Sequence, residues 1–136
     1  MRFAYTIVYV EDVARTLAFY EAAFGLARRF LHESGDYAEL ETGATALAFS
    51  SRRLMRELGK NPQPADAAAP VFEVAFTCAD VPAAVQRAVG AGARLVKPPT
   101  PMPWGQTLAY VADLNGVLVE LCTPVAPPAP QDPGQP

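Results

Sequence analysis

YTIVYVEDVARTLAFYEAAFGL, residues 5–26, and VFEVAFTCADVPAAVQRAVGAG, residues 71–92, read as one pattern written twice. In each copy a β-rich run, Phe3 to Val10 or Val71 to Cys78, leads to an aspartate and then to apolar residues at helical spacing. The helical sets are Val13, Leu17, Tyr20 and Phe24 in the first copy and Val81, Val85, Ala88 and Val89 in the second. Asp12 and Asp80, sixty-eight residues apart, are natural N-caps because a short carboxylate accepts the free N–H groups of a first helical turn. Gly25 ends the first helix, and Gly90 or Gly92 the second, since glycine accepts the left-handed conformation of a helix stop.

Three short strand candidates follow each helix. They are Ala27 to Glu33, Tyr37 to Glu41 and Thr45 to Ser50, then Ala93 to Val96, Thr107 to Ala112 and Val117 to Thr123. The pattern predicts an α+β fold of two tandem βαβββ modules, each with a curved mixed sheet. A doubled βαβ of ferredoxin-like type is the competing arrangement, and the number of strands after each helix decides between them. The first module takes residues 1–50 and the second residues 71–123. Between them, 51–70 reads as a short helix over Ser51 to Gly59, with Leu54, Met55 and Leu58 on its apolar side, followed by a Pro- and Ala-rich loop. Residues 124–136 form a Pro-rich tail whose composition cannot bury a core.

Composition narrows the function. A chain of 136 residues with 51% apolar and 18% charged residues suits one compact body rather than a disordered chain. A net charge of −3 argues against nucleic acid, which demands a clustered surplus of Lys and Arg. No apolar run reaches the roughly twenty residues that span a bilayer, and no signal segment opens the chain, so no membrane partner and a cytoplasmic location are expected. Cys78 and Cys122 lie in strand-like runs, outside any CxxC or zinc spacing, and are expected to be reduced.

Strand alternation sorts the first strand of each copy onto two faces. Ala4, Thr6, Val8 and Val10, with Phe72, Val74, Phe76 and Cys78, form the helix-facing set. Phe3, Tyr5, Ile7 and Tyr9, against Val71, Glu73, Ala75 and Thr77, form the other, whose mixture of aromatic, small and acidic residues suits a cavity wall. Near the end of each module a turn containing glycine, Thr42-Gly43 or Asp113 to Gly116, leads into the last strand. Leu47 and Glu120 each stand four residues beyond the glycine. Glu120 lies between Val119 and Leu121, so it points either into a cavity or to solvent.

The opening YTIVYVEDVARTLAFYEAAFGL, the segment DLNG at 113–116 and the closing Val-Glu-Leu at 119–121 resemble the vicinal oxygen chelate superfamily of glyoxalase I, extradiol dioxygenases and bleomycin and fosfomycin resistance proteins. The resemblance covers about residues 3 to 123. It implies a glyoxalase/bleomycin-resistance-like fold in which half-barrel sheets enclose a cavity, and in metal-dependent members one ligand on the first and last strand of each module. Those four positions fall on Tyr5, Leu47, Glu73 and Glu120. Glu120 keeps the family's ligand type, Glu73 offers oxygen where imidazole is usual, Tyr5 is a poor neutral ligand and Leu47 is none. No intact metal site and no cofactor are expected, although a weak divalent-metal site on Glu73 and Glu120 stays open. The single histidine, His32, lies away from these positions and has no partner for Ser-His-Asp or Cys-His chemistry near it in sequence.

Two carboxylates in one cavity demand compensation by a shared proton, an arginine, a divalent cation or a cationic ligand. Tyr5, Tyr9, Phe49, the alternating Tyr37 and Glu39, and Met102, Trp104 and Gln106 in the loop from Pro98 to Gln106 supply aromatic and hydrogen-bonding groups around them. Two functions follow. One is a metal-free binding protein, similar to bleomycin resistance proteins, that sequesters an aromatic or cationic small molecule as a homodimer, with Tyr5, Tyr9, Glu39, Leu47, Phe49, Glu73, Trp104, Gln106 and Glu120 as its site. The other is a glyoxalase-like lyase or isomerase with Glu120 or Glu73 as general base.

Overall fold

A computed structural model describes residues 1–125. The first module runs β1 (Tyr5–Val10), α1 (Val13–Phe24), β2 (Ala27–Leu31), β3 (Tyr37–Glu41) and β4 (Ala46–Ser51). A short helix, α2 (Arg52–Glu57), opens the linker. The second module repeats the order as β5 (Glu73–Thr77), α3 (Val81–Gly90), β6 (Arg94–Pro101), β7 (Thr107–Ala112) and β8 (Leu118–Cys122). Three strands follow each helix, which selects the βαβββ reading over the ferredoxin-like one.

Local chemistry explains the helix ends. The Oδ1 of Asp12 accepts the N–H of Arg15 at 3.0 Å, and that of Asp80 accepts the N–H of Ala83 at the same distance. Gly25, at φ +67°, closes α1 by donating its N–H to the Glu21 carbonyl at 3.1 Å. Ser51 caps α2 through the Leu54 N–H, so the first module's last strand ends one residue later than the sequence pattern suggests.

The two sheets have the orders β1-β4-β3-β2 and β5-β8-β7-β6. In each, the first strand pairs in parallel with the last, and the remaining neighbours are antiparallel. β6 is longer than expected, continuing through Pro98, Pro99 and Pro101. It is an edge strand with two register shifts, the setting in which prolines lacking an N–H are tolerated.

Helices α1 and α3 cover one face of their own sheets and pack against each other. The core is therefore continuous across both modules, from Val8, Leu17 and Phe49 to Val85, Val111 and Val119. Burial of each such side chain contributes roughly 1.5–3 kcal/mol. The 113–116 turn ties the second module to α1. The Tyr20 hydroxyl donates to Asp113 Oδ2 at 2.6 Å, Asn115 Nδ2 donates to Thr16 Oγ1 at 3.0 Å, and Asn115 Oδ1 accepts the Glu11 N–H at 3.2 Å. Gly116, at φ +82°, passes so close to the linker that a Cβ there would lie 2.4 Å from the Ala65 carbonyl oxygen.

Among the described residues no helix is long and apolar enough to cross a membrane. Of the expected tail, Pro124 and Val125 carry no regular structure, and residues 126–136 lie outside the described residues.

Candidate functional site

Register decides which side chains share the uncovered face of each sheet. Tyr5, Ile7 and Tyr9 of β1 pair with Ala46, Ala48 and Ser50 of β4, while Thr6 and Val8 pair with Leu47 and Phe49. Leu47 and Phe49 thus stand on the helix side, in the core, and not on the cavity face expected of them. In the second module Ala75 pairs with Glu120. The residue matching Glu120 is therefore Ala48, the partner of Ile7, because the first module needs five residues from its glycine to reach that place and the second needs four. An offset of one residue in a strand turns a side chain to the other face.

The open face of the second sheet gathers an acidic group. Glu120 lies opposite Tyr110 of β7 and beside Ala75 of β5, with Glu73 two residues earlier on the same face of β5. Glu73 is exposed and Glu120 half-buried. The Glu73 carboxyl is raised above its ordinary range, first by partial burial, then by its hydrogen bond to Glu120 and that group's charge. Tyr110 is raised by burial and by both carboxylates, and the Cys122 thiol by burial and by Glu120. The sequence reading did not place Tyr110 or Cys122 at the site; folding the β7–β8 hairpin about its turn at 113–116 is the signal that would have placed Tyr110 against Glu120.

Several acidic side chains have basic partners, Glu21 with Arg28, Glu11 with Arg52, Asp36 with Arg53 and Glu39 with Arg29, while Asp12, Asp66, Asp80 and Asp113 are held by N–H or O–H donors instead. Among the described residues Glu73 and Glu120 have no basic partner.

The open face of the first sheet is aromatic. Tyr5 and Ile7 are 52% and 44% exposed, and Phe30 packs on Tyr37 with ring centroids 5.8 Å apart. Beneath them Glu39, buried to 6% exposure, accepts the Tyr37 hydroxyl at 2.8 Å and lies 3.5 Å from Arg29. Burial, followed by the Glu39 hydrogen bond, pushes the Tyr37 phenol up to about 12. Tyr9 is held by Lys60, whose Nζ donates to its hydroxyl at 2.8 Å and sits 5.1 Å from its ring centroid.

Trp104 and Gln106 sit elsewhere, at the end of the second sheet where β8 finishes. The Trp104 Nε1–H donates to Gln106 Oε1 at 2.9 Å, and Gln106 Nε2 donates to the Thr123 carbonyl at 2.8 Å. His32 serves the β2–β3 turn through Ser34.

The four positions that would carry metal ligands do not make a donor set. Leu47 points into the core, Ala48 stands where the counterpart of Glu120 would be, and Tyr5 lies on the other sheet from Glu73 and Glu120. Among the described residues no three His, Cys, Asp or Glu side chains converge as metal donors. Two adjacent carboxylates and a phenol can instead hold a proton between them or meet a cation, and a carboxyl raised above its usual range is suited to proton transfer.

The family model of the Glyoxalase/Bleomycin resistance protein/Dioxygenase superfamily matches residues 2–121. Among solved structures, the chain is similar to a glyoxalase-related enzyme from Fulvimarina pelagi, with TM-score 0.78 and 22% identity, covering 91% of this chain and 88% of that one. A protein of unknown function from Agrobacterium tumefaciens str. C58 is similar with TM-score 0.73 and 28% identity, covering 91% and 94%. A glyoxalase/bleomycin resistance protein/dioxygenase family enzyme from Burkholderia phytofirmans PsJN has TM-score 0.72 and 22% identity, covering 90% and 98%. No curated protein sequence matches.

Proposed function

The chain belongs to the glyoxalase/bleomycin resistance protein/dioxygenase superfamily, and from that premise we propose that it binds a small cationic organic molecule on the Glu73–Glu120 face, without a resident metal. One observation carries the reading: these two carboxylates adjoin each other, and among the described residues no basic side chain neutralises them. An organic cation supplies the missing charge and draws the raised Glu73 carboxyl back down. The exposed Tyr5, Ile7 and Phe30 on the first sheet suit an aromatic or apolar partner, and their exposure supports a homodimer that covers them.

A second reading rests on the same raised carboxyl. Glu73 is suited to act as an acid–base group on a carbon acid, which makes the protein a glyoxalase-like lyase or isomerase. The variants Glu73→Gln and Glu120→Gln separate the two. A binding protein loses affinity for the small organic cation benzylammonium by at least tenfold in calorimetry. An enzyme keeps its affinity for its substrate and loses turnover. Benzylammonium that binds neither wild type nor variants overturns the cation-binding reading.

A further inference from the structure

Next to the acidic face, between β1, the linker and β8, lies a cavity of about 340 Å³, within the size range of small-molecule sites. Ile7, Tyr9, Ala69, Val71, Phe72 and Leu118 supply its apolar walls. Three of these are far from buried: Val71 is 98% exposed, Phe72 48% and Ile7 44%. At its rim Lys60 Nζ donates to the Tyr9 hydroxyl at 2.8 Å and Asp66 Oδ1 accepts the Ala68 N–H at 2.9 Å. A smaller depression shares Val71, Phe72 and Leu118 with this groove and adds Glu73. Leu118 is the register partner of Glu73 on the same face, so the apolar groove ends at Glu73, which adjoins Glu120.

We infer that the ligand is a hydrophobic amine, with its ammonium at Glu73 and Glu120 and its apolar body in the groove from Leu118 to Tyr9. The inference rests on the reading of the acidic face as a cation site and adds the groove as the element that selects among cations. The groove's apolar walls reward each methylene taken from water, whereas the Glu73 and Glu120 carboxylates reward only the charge. Chain length and charge therefore act through separate residues.

Calorimetric titration of the full chain with methylammonium, butylammonium and hexylammonium tests this. Affinity should rise roughly fourfold for each methylene that enters the groove. Ala69→Trp, at an exposed linker position that fills the groove, should flatten that rise while leaving methylammonium binding unchanged. Val71→Ser, also at an exposed position, should weaken hexylammonium binding several-fold and methylammonium binding not at all. Equal affinity for all three ammonium ions in wild type overturns the groove and leaves the carboxylate site standing. A length dependence that survives Ala69→Trp overturns the placement. Hexanol binding as tightly as hexylammonium overturns the amine head group, and absence of binding at every length overturns this inference and the cation site together. If Ala69→Trp instead dissociates a dimer in sedimentation and leaves the length dependence intact, the groove belongs to a second copy of the chain and the inference fails.

Discussion

Replacing Tyr20 by Phe removes one oxygen from the join between the two modules. The Tyr20 ring is fully buried and packs on Phe49, with centroids 4.9 Å apart, and on Phe24 at 5.1 Å, contacts that Phe retains. What disappears is the 2.6 Å hydrogen bond to Asp113 Oδ2. Asp113 is 7% exposed, and its other bonds, from the N–H groups of Asn115 and Val117, fall on Oδ1. The variant therefore leaves a buried carboxylate oxygen without its partner, a loss of about 1–3 kcal/mol. For a chain of this length that corresponds to a fall in Tm of roughly 4–12 °C. The sign with pH is also fixed. Burial raises the Asp113 carboxyl and the Tyr20 bond lowers it, so the variant raises it further. The penalty is fully present where Asp113 is ionised and shrinks as pH falls through its folded range. Urea unfolding of both proteins across pH 3–8 measures this. A difference under about 0.5 kcal/mol at neutral pH, or one that grows toward low pH, refutes the argument.

Two further perturbations probe the join and the acidic face. Gly116→Ala places a Cβ against the Ala65 carbonyl in a left-handed conformation, so stability should fall by more than about 1 kcal/mol, and limited proteolysis should find the 60–72 linker opened; unchanged cleavage there contradicts the close approach. Glu73→Gln should stabilise the protein at neutral pH, because a carboxyl raised on folding contributes stability below its unfolded value of 4.5 and loses it as pH rises through the folded value. Thermal melts of the variant should be flatter with pH than wild type above that value, and parallel curves would count against the carboxylate pair.

The fold was legible because each of its signals is local. Asp12 and Asp80 cap the helices they precede, and alternation in β1 puts Val8 and Val10 in the core. The site was legible only in part, because it depends on parity across a turn. Counting four residues from Gly43 and from Gly116 treats the two hairpins as equal, yet the one-residue difference puts Leu47 under the helix and leaves Ala48 opposite Ile7. Phe49, two residues on, follows Leu47 into the core. The prolines of β6 hid an edge strand, since proline argues against a strand unless the edge position is known. The Tyr20–Asp113 bond joins residues 93 apart and leaves no periodic trace.

The account turns on the uncompensated pair of carboxylates at Glu73 and Glu120. Carbon-13 NMR titration of the glutamate side-chain carboxyls, with and without saturating benzylammonium, tests it most directly. Glu73 should titrate above the ordinary glutamate range in the free protein, return toward it in Glu120→Gln, and fall when the cation binds. A Glu73 that titrates with the exposed glutamates, and does not respond to either change, would contradict the account.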